Sequence, residues 1–201
     1  MALCTRDWLQ PLGRTGLLVS RVAFGAGPVS NLLTESELNP TELQFRTIER
    51  ALRQGINWFD TAATYAEGKS EAILGRVLEQ LDPQRSACLA TKVRIGPEET
   101  GEIRDAVLRS VEGSLKRLRV SQVTLLQLHN SVTDERGDQP TSLCMEDVLG
   151  SRGVAETFRE LREQGVIQSC GLTGIGEPRL LKELLDSGAF ETIQTPCHLL
   201  N

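Results

Sequence analysis

Asp60, Tyr65, Lys92 and His129 supply a carboxylate, a phenol, an amine and an imidazole in that order along a 201-residue chain, three of them closing predicted strands. These are the groups that carbonyl reduction requires. Hydride delivery to a carbonyl carbon builds negative charge on the oxygen, so the site needs a proton donor and a polarising group beside it. A phenol can donate, but an unperturbed tyrosine ionises only near pH ~10. An ammonium next to a phenol favours the phenolate, and a carboxylate on the ammonium's far side holds that charge in place. Tyr65, the only tyrosine in the chain, takes the donor role, Lys92 and Asp60 form the pair behind it, and a neutral His129 orients the carbonyl oxygen. Singly, each residue has a plainer reading. Asp60 can cap a loop, and His129 can be a satisfied loop or core histidine. Lys92 resists dismissal, because a lysine pointing inward from an apolar strand needs a carboxylate partner.

The elements that must position these side chains alternate along the sequence. Two short apolar runs flank Gly13-Arg14-Thr15-Gly16 and predict an N-terminal β-hairpin over 8–20, followed by a buried strand over 21–25 and a glycine-rich loop over 25–28. Ile48, Ala51 and Leu52 at helical spacing, stopped by Gly55, precede a strand over 56–60. Ser70 and Glu71 open a second helix with an Ile73, Leu74, Val77, Leu78 stripe, and a strand follows over 87–92. A third helix carries Ile103, Val107, Val111, Leu115 and Leu118, with acidic residues at its start and Lys116, Arg117 and Arg119 at its end. It leads to a strand over 123–129. A polar excursion over 130–150 reads as a substrate loop or lid. A helix through Val154, Phe158 and Leu161, a strand over 166–173, a helix near Pro178 and a strand over 190–194 complete the pattern. Such alternation implies parallel strands with right-handed crossovers, either doubly wound or closed into a barrel, and periodicity does not choose between them. In both, ligands bind at the carboxyl ends of the strands, where Asp60, Lys92 and His129 stand.

A net charge of -5 lacks the basic footprint of a nucleic-acid or anionic-membrane partner and favours small-molecule ligands. The five cysteines are widely spaced and contain no C-x-x-C pair, so neither a disulfide framework nor a metal site is expected, and they read as reduced and structural. No run of about 18 apolar residues and no N-terminal apolar leader segment appears, which places the expected location in the cytoplasm. Trp58 reads as a core residue, and His198 has no assignable partner.

The motifs 12–20, Gly55-Ile56-Asn57-Trp58-Phe59-Asp60-Thr61-Ala62-Ala63-Thr64-Tyr65 with Ser70-Glu71, Thr91-Lys92, Leu126-Gln127-Leu128-His129 and Cys170-Gly171-Leu172-Thr173 resemble the aldo-keto reductases, with affinity to the aldose or sugar-dehydrogenase-like branch. The resemblance implies a (β/α)8 TIM-type barrel that binds a nicotinamide cofactor, usually NADPH although NAD is possible, and transfers its pro-R hydride reversibly between cofactor and an aldehyde, ketone, alcohol or sugar. It implies Tyr65 as general acid, Lys92 and Asp60 as its tuning pair and His129 as the orienting residue. It also implies Gly25 in the cofactor-approach loop and Thr173 and Gln194 against the nicotinamide carboxamide, with Thr173-Gly174 standing where the family often has Ser-Asn. A complete barrel has eight units and about 250 residues. Residues 1–201 therefore read as a single barrel domain of about six units lacking its last two strands and helices, together with most of the loops that hold the cofactor pyrophosphate. The alternative expectation is a weakly active or inactive binding or scaffold protein that self-associates through open sheet edges. An unrelated barrel enzyme using Lys92 as a Schiff base is a third, distant reading.

Overall fold

The computed structural model describes residues 8–34 and 39–197. Cys4, the start of the N-terminal segment and His198 with the residues after it lie outside them. The hairpin forms as expected, with β1 (Leu9–Pro11) antiparallel to β2 (Leu18–Ser20). Six parallel strands follow: β3 (Phe24–Gly25), β4 (Trp58–Asp60), β5 (Cys88–Val93), β6 (Val123–Leu128), β7 (Ile167–Thr173) and β8 (Thr192–Gln194). They pair in chain order, so among the described residues β3 and β8 each have a neighbour on one side only. The helices between them are α1 (Glu42–Arg53), α2 (Lys69–Leu81), α3 (Ile103–Leu118), α4 (Met145–Leu149), α5 (Val154–Glu163) and α6 (Pro178–Asp186). Among the described residues no helix is long and apolar enough to cross a membrane.

The sheet curls into a half-barrel. Gln194 on β8 reaches across to Asp60 on β4, its amide nitrogen 3.4 Å from the carboxylate. The hairpin packs under the same open side, where the backbone oxygen of Glu191 lies 3.6 Å from the position a Cβ on Gly13 would take. It is tied to the other side by Asn57, whose side-chain oxygen accepts from the Ser20 amide at 2.7 Å, and by Trp8, whose indole donates to the Gly55 carbonyl at 2.9 Å.

Strand alternation divides the sheet into two faces with different chemistry. Phe59, Leu89, Val93, Leu126, Leu128 and Leu172 point outward into a core shared with the helices, in which Ile73, Leu74, Val107, Phe158 and Leu184 are fully buried. Burying each large side chain contributes about 1.5–3 kcal/mol, so this convex layer carries most of the stability. The concave face holds Asp60, Lys92 and Gln127. Local signals set the helices: Thr41 and Gln44 form a reciprocal capping box at the start of α1, and Pro178 occupies the first turn of α6. Cys170 is buried, and burial, with Glu191 nearby, pushes its thiol up to about 11; the four described cysteines are free.

The excursion over 130–150 is packed at its root rather than hanging free. Asn130 is buried, accepts from the Ile95 amide at 2.9 Å and donates to the carbonyls of Ile95 and Thr141. Val132 bridges to both Leu143 and Gly176. Only residues 134–140 form a continuous exposed stretch, so any lid is confined to that tip.

Candidate functional site

The centre of the site is one ammonium with three acceptors. Lys92 Nζ donates to Asp60 Oδ2 at 2.7 Å, to the Thr61 carbonyl at 2.9 Å and to Tyr65 Oη at 3.3 Å. A lysine has three N–H donors and no acceptor, so this set uses all of them. The ammonium is 2% exposed, and the adjacent carboxylate gives the buried charge the partner it needs. Because Tyr65 Oη accepts from Lys92, the phenol's own proton is left to point elsewhere. The Tyr65 ring lies with the ammonium 5.0 Å from its centroid and meets the His129 ring edge-on at 5.8 Å.

Tyr65 is placed by an unusual turn. Ala66, Glu67 and Gly68 are consecutive left-handed residues, with φ of 48°, 56° and 85°. For the two non-glycines this costs about 1–2 kcal/mol each, a strain that concentrates at sites where the backbone must aim a side chain. The turn ends where the Lys69 amide bonds back to the carbonyls of Tyr65 and Ala66, and α2 begins. On its other side the ring rests on Gly27, where a Cβ would sit 3.3 Å from Tyr65 Cε2.

A second polar cluster lies behind the strands, in the helical layer. Ser70 and Glu71 open α2 as expected, in its first turn after the Gly68 cap, but both side chains turn into the interior. Ser70 Oγ donates to the Ala26 carbonyl at 2.8 Å and pairs with Thr61 Oγ1 at 2.9 Å, joining the loops after β3 and β4. Glu71 is fully buried, accepting from Thr91 Oγ1 at 2.5 Å and from Arg117 Nε at 2.7 Å. Thr91 immediately precedes Lys92 and faces the opposite way, so this network fixes the strand from which the ammonium projects. Gly68 admits Arg117, since a Cβ there would stand 2.5 Å from its Nε.

His129 continues β6 at the rim, its amide donating to the Val93 carbonyl at 2.8 Å. Burial, then the charges of Arg94 and Lys92, lowers its pKa to about 4, so the imidazole is neutral at pH 7. Its Nδ1 lies 3.4 Å from Thr64 Oγ1. Gln194 is exposed on the concave face, and its side-chain oxygen accepts from Gln127 Nε2 at 3.2 Å. Thr173 is buried at the end of β7 and donates its hydroxyl to the Leu128 carbonyl at 3.1 Å. Gly174, its neighbour, donates its amide to the Gln194 carbonyl at 2.7 Å. Gly25 pairs with Asp60 across β3 and β4, with open space where a side chain would be. Thus Asp60, Tyr65, Lys92 and His129 converge, Gln194 touches that group, and Gly25 and Thr173 flank it.

Trp58 departs from expectation. It shares the concave face with Asp60 while Phe59 takes the core position, and it is half-buried at the base of the site. Gly27, Thr64 and Gln127 were not singled out from sequence. Only Gly27 carried a usable signal, as a glycine in the loop after the first barrel strand.

The profile of the Aldo/keto reductase family matches residues 22–200. Over 198 residues the chain is 30% identical to L-galactose dehydrogenase of Arabidopsis thaliana, covering 96% of this chain and 57% of that protein. It is 26% identical to an aldo-keto reductase of Bacillus subtilis, covering 92% of this chain and 52% of that one. Among solved structures, the holo form of an aldo-keto reductase from Bacillus halodurans superposes with a TM-score of 0.71 at 26% identity, over 94% of this chain and 57% of that one. The chain therefore spans a little more than half the length of these relatives. With a curled parallel sheet of this order and a match over nearly its whole length, the chain belongs to the aldo/keto reductase family.

Proposed function

We propose that this site reduces aldehydes or ketones, and in reverse oxidises alcohols or sugars, using a nicotinamide cofactor of the NADPH type. The observation that carries the reading is the three-acceptor ammonium of Lys92, which occupies one lone pair of Tyr65 Oη and leaves the phenolic proton for a substrate. The residues fit the reactive end of a nicotinamide. The exposed Gln194 amide offers a donor and an acceptor on the concave face, Thr173 stands at the adjoining strand end, and Gly25 leaves room for close approach. Held by Gln194, Thr173 and Gly25, a nicotinamide would supply the hydride that the carbonyl carbon needs.

The chain's own residues do the rest. The carbonyl oxygen lies between Tyr65 Oη and His129. In the tautomer whose Nδ1 accepts from Thr64 Oγ1, His129 carries its proton on Nε2 and donates a hydrogen bond to that oxygen. As charge develops there, Tyr65 transfers its proton to it, and the phenolate left behind is stabilised by Lys92, which Asp60 holds in place. The named activity of the Arabidopsis relative, a sugar dehydrogenase, is the reverse direction of the same chemistry.

The test is NADPH oxidation at 340 nm with a panel of aldehydes, comparing the wild-type chain with Tyr65→Phe. Aldehyde-dependent turnover that drops at least about 100-fold in the variant supports the assignment. Turnover retained at the wild-type rate refutes it.

A further inference from the structure

Arg94 is a cation at the mouth of the site with no ion-pair partner among the described residues. Lys92 and Arg94 share a face of β5 and its extension, because Val93 between them and Ile95 beyond are both 1% exposed and buried in the core. Val93 pairs with Leu128, and the His129 amide bonds to the Val93 carbonyl, so continuing the register by one residue sets Arg94 beside His129. Two residues along a strand is about 7 Å, which lifts Arg94 from the level of Lys92 toward solvent. Its charge is felt at the imidazole, where it is a named cause of the depressed His129 pKa.

The charge balance of the concave face makes this cation informative. Asp60 is the acidic residue that β4–β8 present on that face, and it is bonded to Lys92 at 2.7 Å. Those two charges cancel and Arg94 remains. Among the described residues no carboxylate forms an ion pair with it, including Glu67, which is exposed in the turn after Tyr65. In a chain of net charge -5, Arg94 thus stands beside the site with no carboxylate bonded to it among the described residues. A guanidinium presents a planar fork of donors that matches a carboxylate in two parallel hydrogen bonds.

We propose that Arg94 is a specificity-determining residue and that it selects carbonyl substrates bearing a carboxylate a few bonds from the reacting carbon, such as short oxo acids. The inference rests on the carbonyl-reduction reading above: with the carbonyl oxygen between Tyr65 and His129, the carboxylate extends toward the mouth and meets the Arg94 fork. Because Arg94 is exposed, replacing it leaves the fold intact.

The experiment compares kcat/KM for 4-oxobutanoate and butanal, which share a chain length and differ in the carboxylate. The wild-type chain should prefer the acid by about 10–100-fold, the range of a charge-assisted pair. Arg94→Ala should bring the ratio to within about twofold of unity, and Arg94→Lys should restore part of it. A wild-type ratio near unity, or a preference that survives in Arg94→Ala, overturns the proposal. Failure of the underlying reading looks different, since neither aldehyde then oxidises NADPH. In that case titration with butanoate, followed by the His129 imidazole resonance and assigned against His129→Gln, decides the inference alone. A shift in wild type that vanishes in Arg94→Ala upholds carboxylate capture; the absence of a shift in wild type overturns it.

Discussion

The strands β4, β5 and β6 and the edge strand β8 contribute to the same concave face in opposite ways. In the centre, Lys92 is buried with three acceptors in reach, and the strand beneath it is braced from behind by Thr91, Glu71 and Arg117. At the edge, Gln194 is exposed at the end of a three-residue strand, and its side chain makes two contacts of 3.2 and 3.4 Å. The centre is built to hold one geometry, whereas the edge residue is free to take a ligand. The buried ammonium and its carboxylate therefore sit where the fold is densest, and of the groups proposed for the cofactor Gly25 and Gln194 sit where it is open, while Thr173 is buried at the end of β7.

Removing the donor at the centre should have the largest effect. Tyr65→Phe should lower kcat/KM for aldehydes by about 10²–10⁴-fold, read by NADPH oxidation, with little change in unfolding midpoint. Next, Arg117→Leu should destabilise the chain by about 3–5 kcal/mol in urea unfolding, because it strands the fully buried Glu71 carboxylate. A loss below about 1 kcal/mol would show that the bracing layer is not what fixes β5.

The pH response is smaller and belongs to His129. Its pKa is lower in the folded chain than the ordinary 6.5, so the unfolded state binds more protons between pH 6.5 and about 4. Stability is greatest above pH 6.5 and falls as the pH drops through that window. With its partial exposure taken into account, the loss is on the order of 1–2 kcal/mol, and His129→Gln should remove it. Smallest of all, Gln194→Ala should change folding stability by less than about 0.5 kcal/mol while weakening NADPH binding about tenfold in an equilibrium titration. If it unfolds the chain instead, the contrast between centre and edge fails.

The same contrast decides what the sequence could reveal. Period-2 and period-3.6 patterns located every strand and the longer helices, because burial of Leu126, Val107 or Phe158 against a sheet leaves a mark at fixed spacing. Asp60, Lys92 and His129 were legible through residue type at strand ends, and Tyr65 as the single tyrosine, in the loop that follows Asp60. The bracing layer was not. Ser70 and Glu71 look like ordinary polar openers of a helix, and only the left-handed turn over 66–68, which moves the cap back to Gly68, carries them inward to Thr61 and Thr91. Trp58 was misplaced for a related reason: in Trp58-Phe59-Asp60 alternation gives one aromatic to the core, and the face assigned to Asp60 fixes Trp58 on the other. The packed root of the loop over 130–150 was hidden too, since Asn130 and Ser142 read as polar loop residues although both are buried.

The central claim is that phenol and ammonium act as one unit, and a double-mutant cycle on Tyr65→Phe and Lys92→Met tests it most directly. With kcat/KM for a reducible aldehyde as the readout, the double variant should be no more than about threefold slower than Tyr65→Phe alone, since the ammonium acts through the phenol. Losses that multiply across the two substitutions would contradict it.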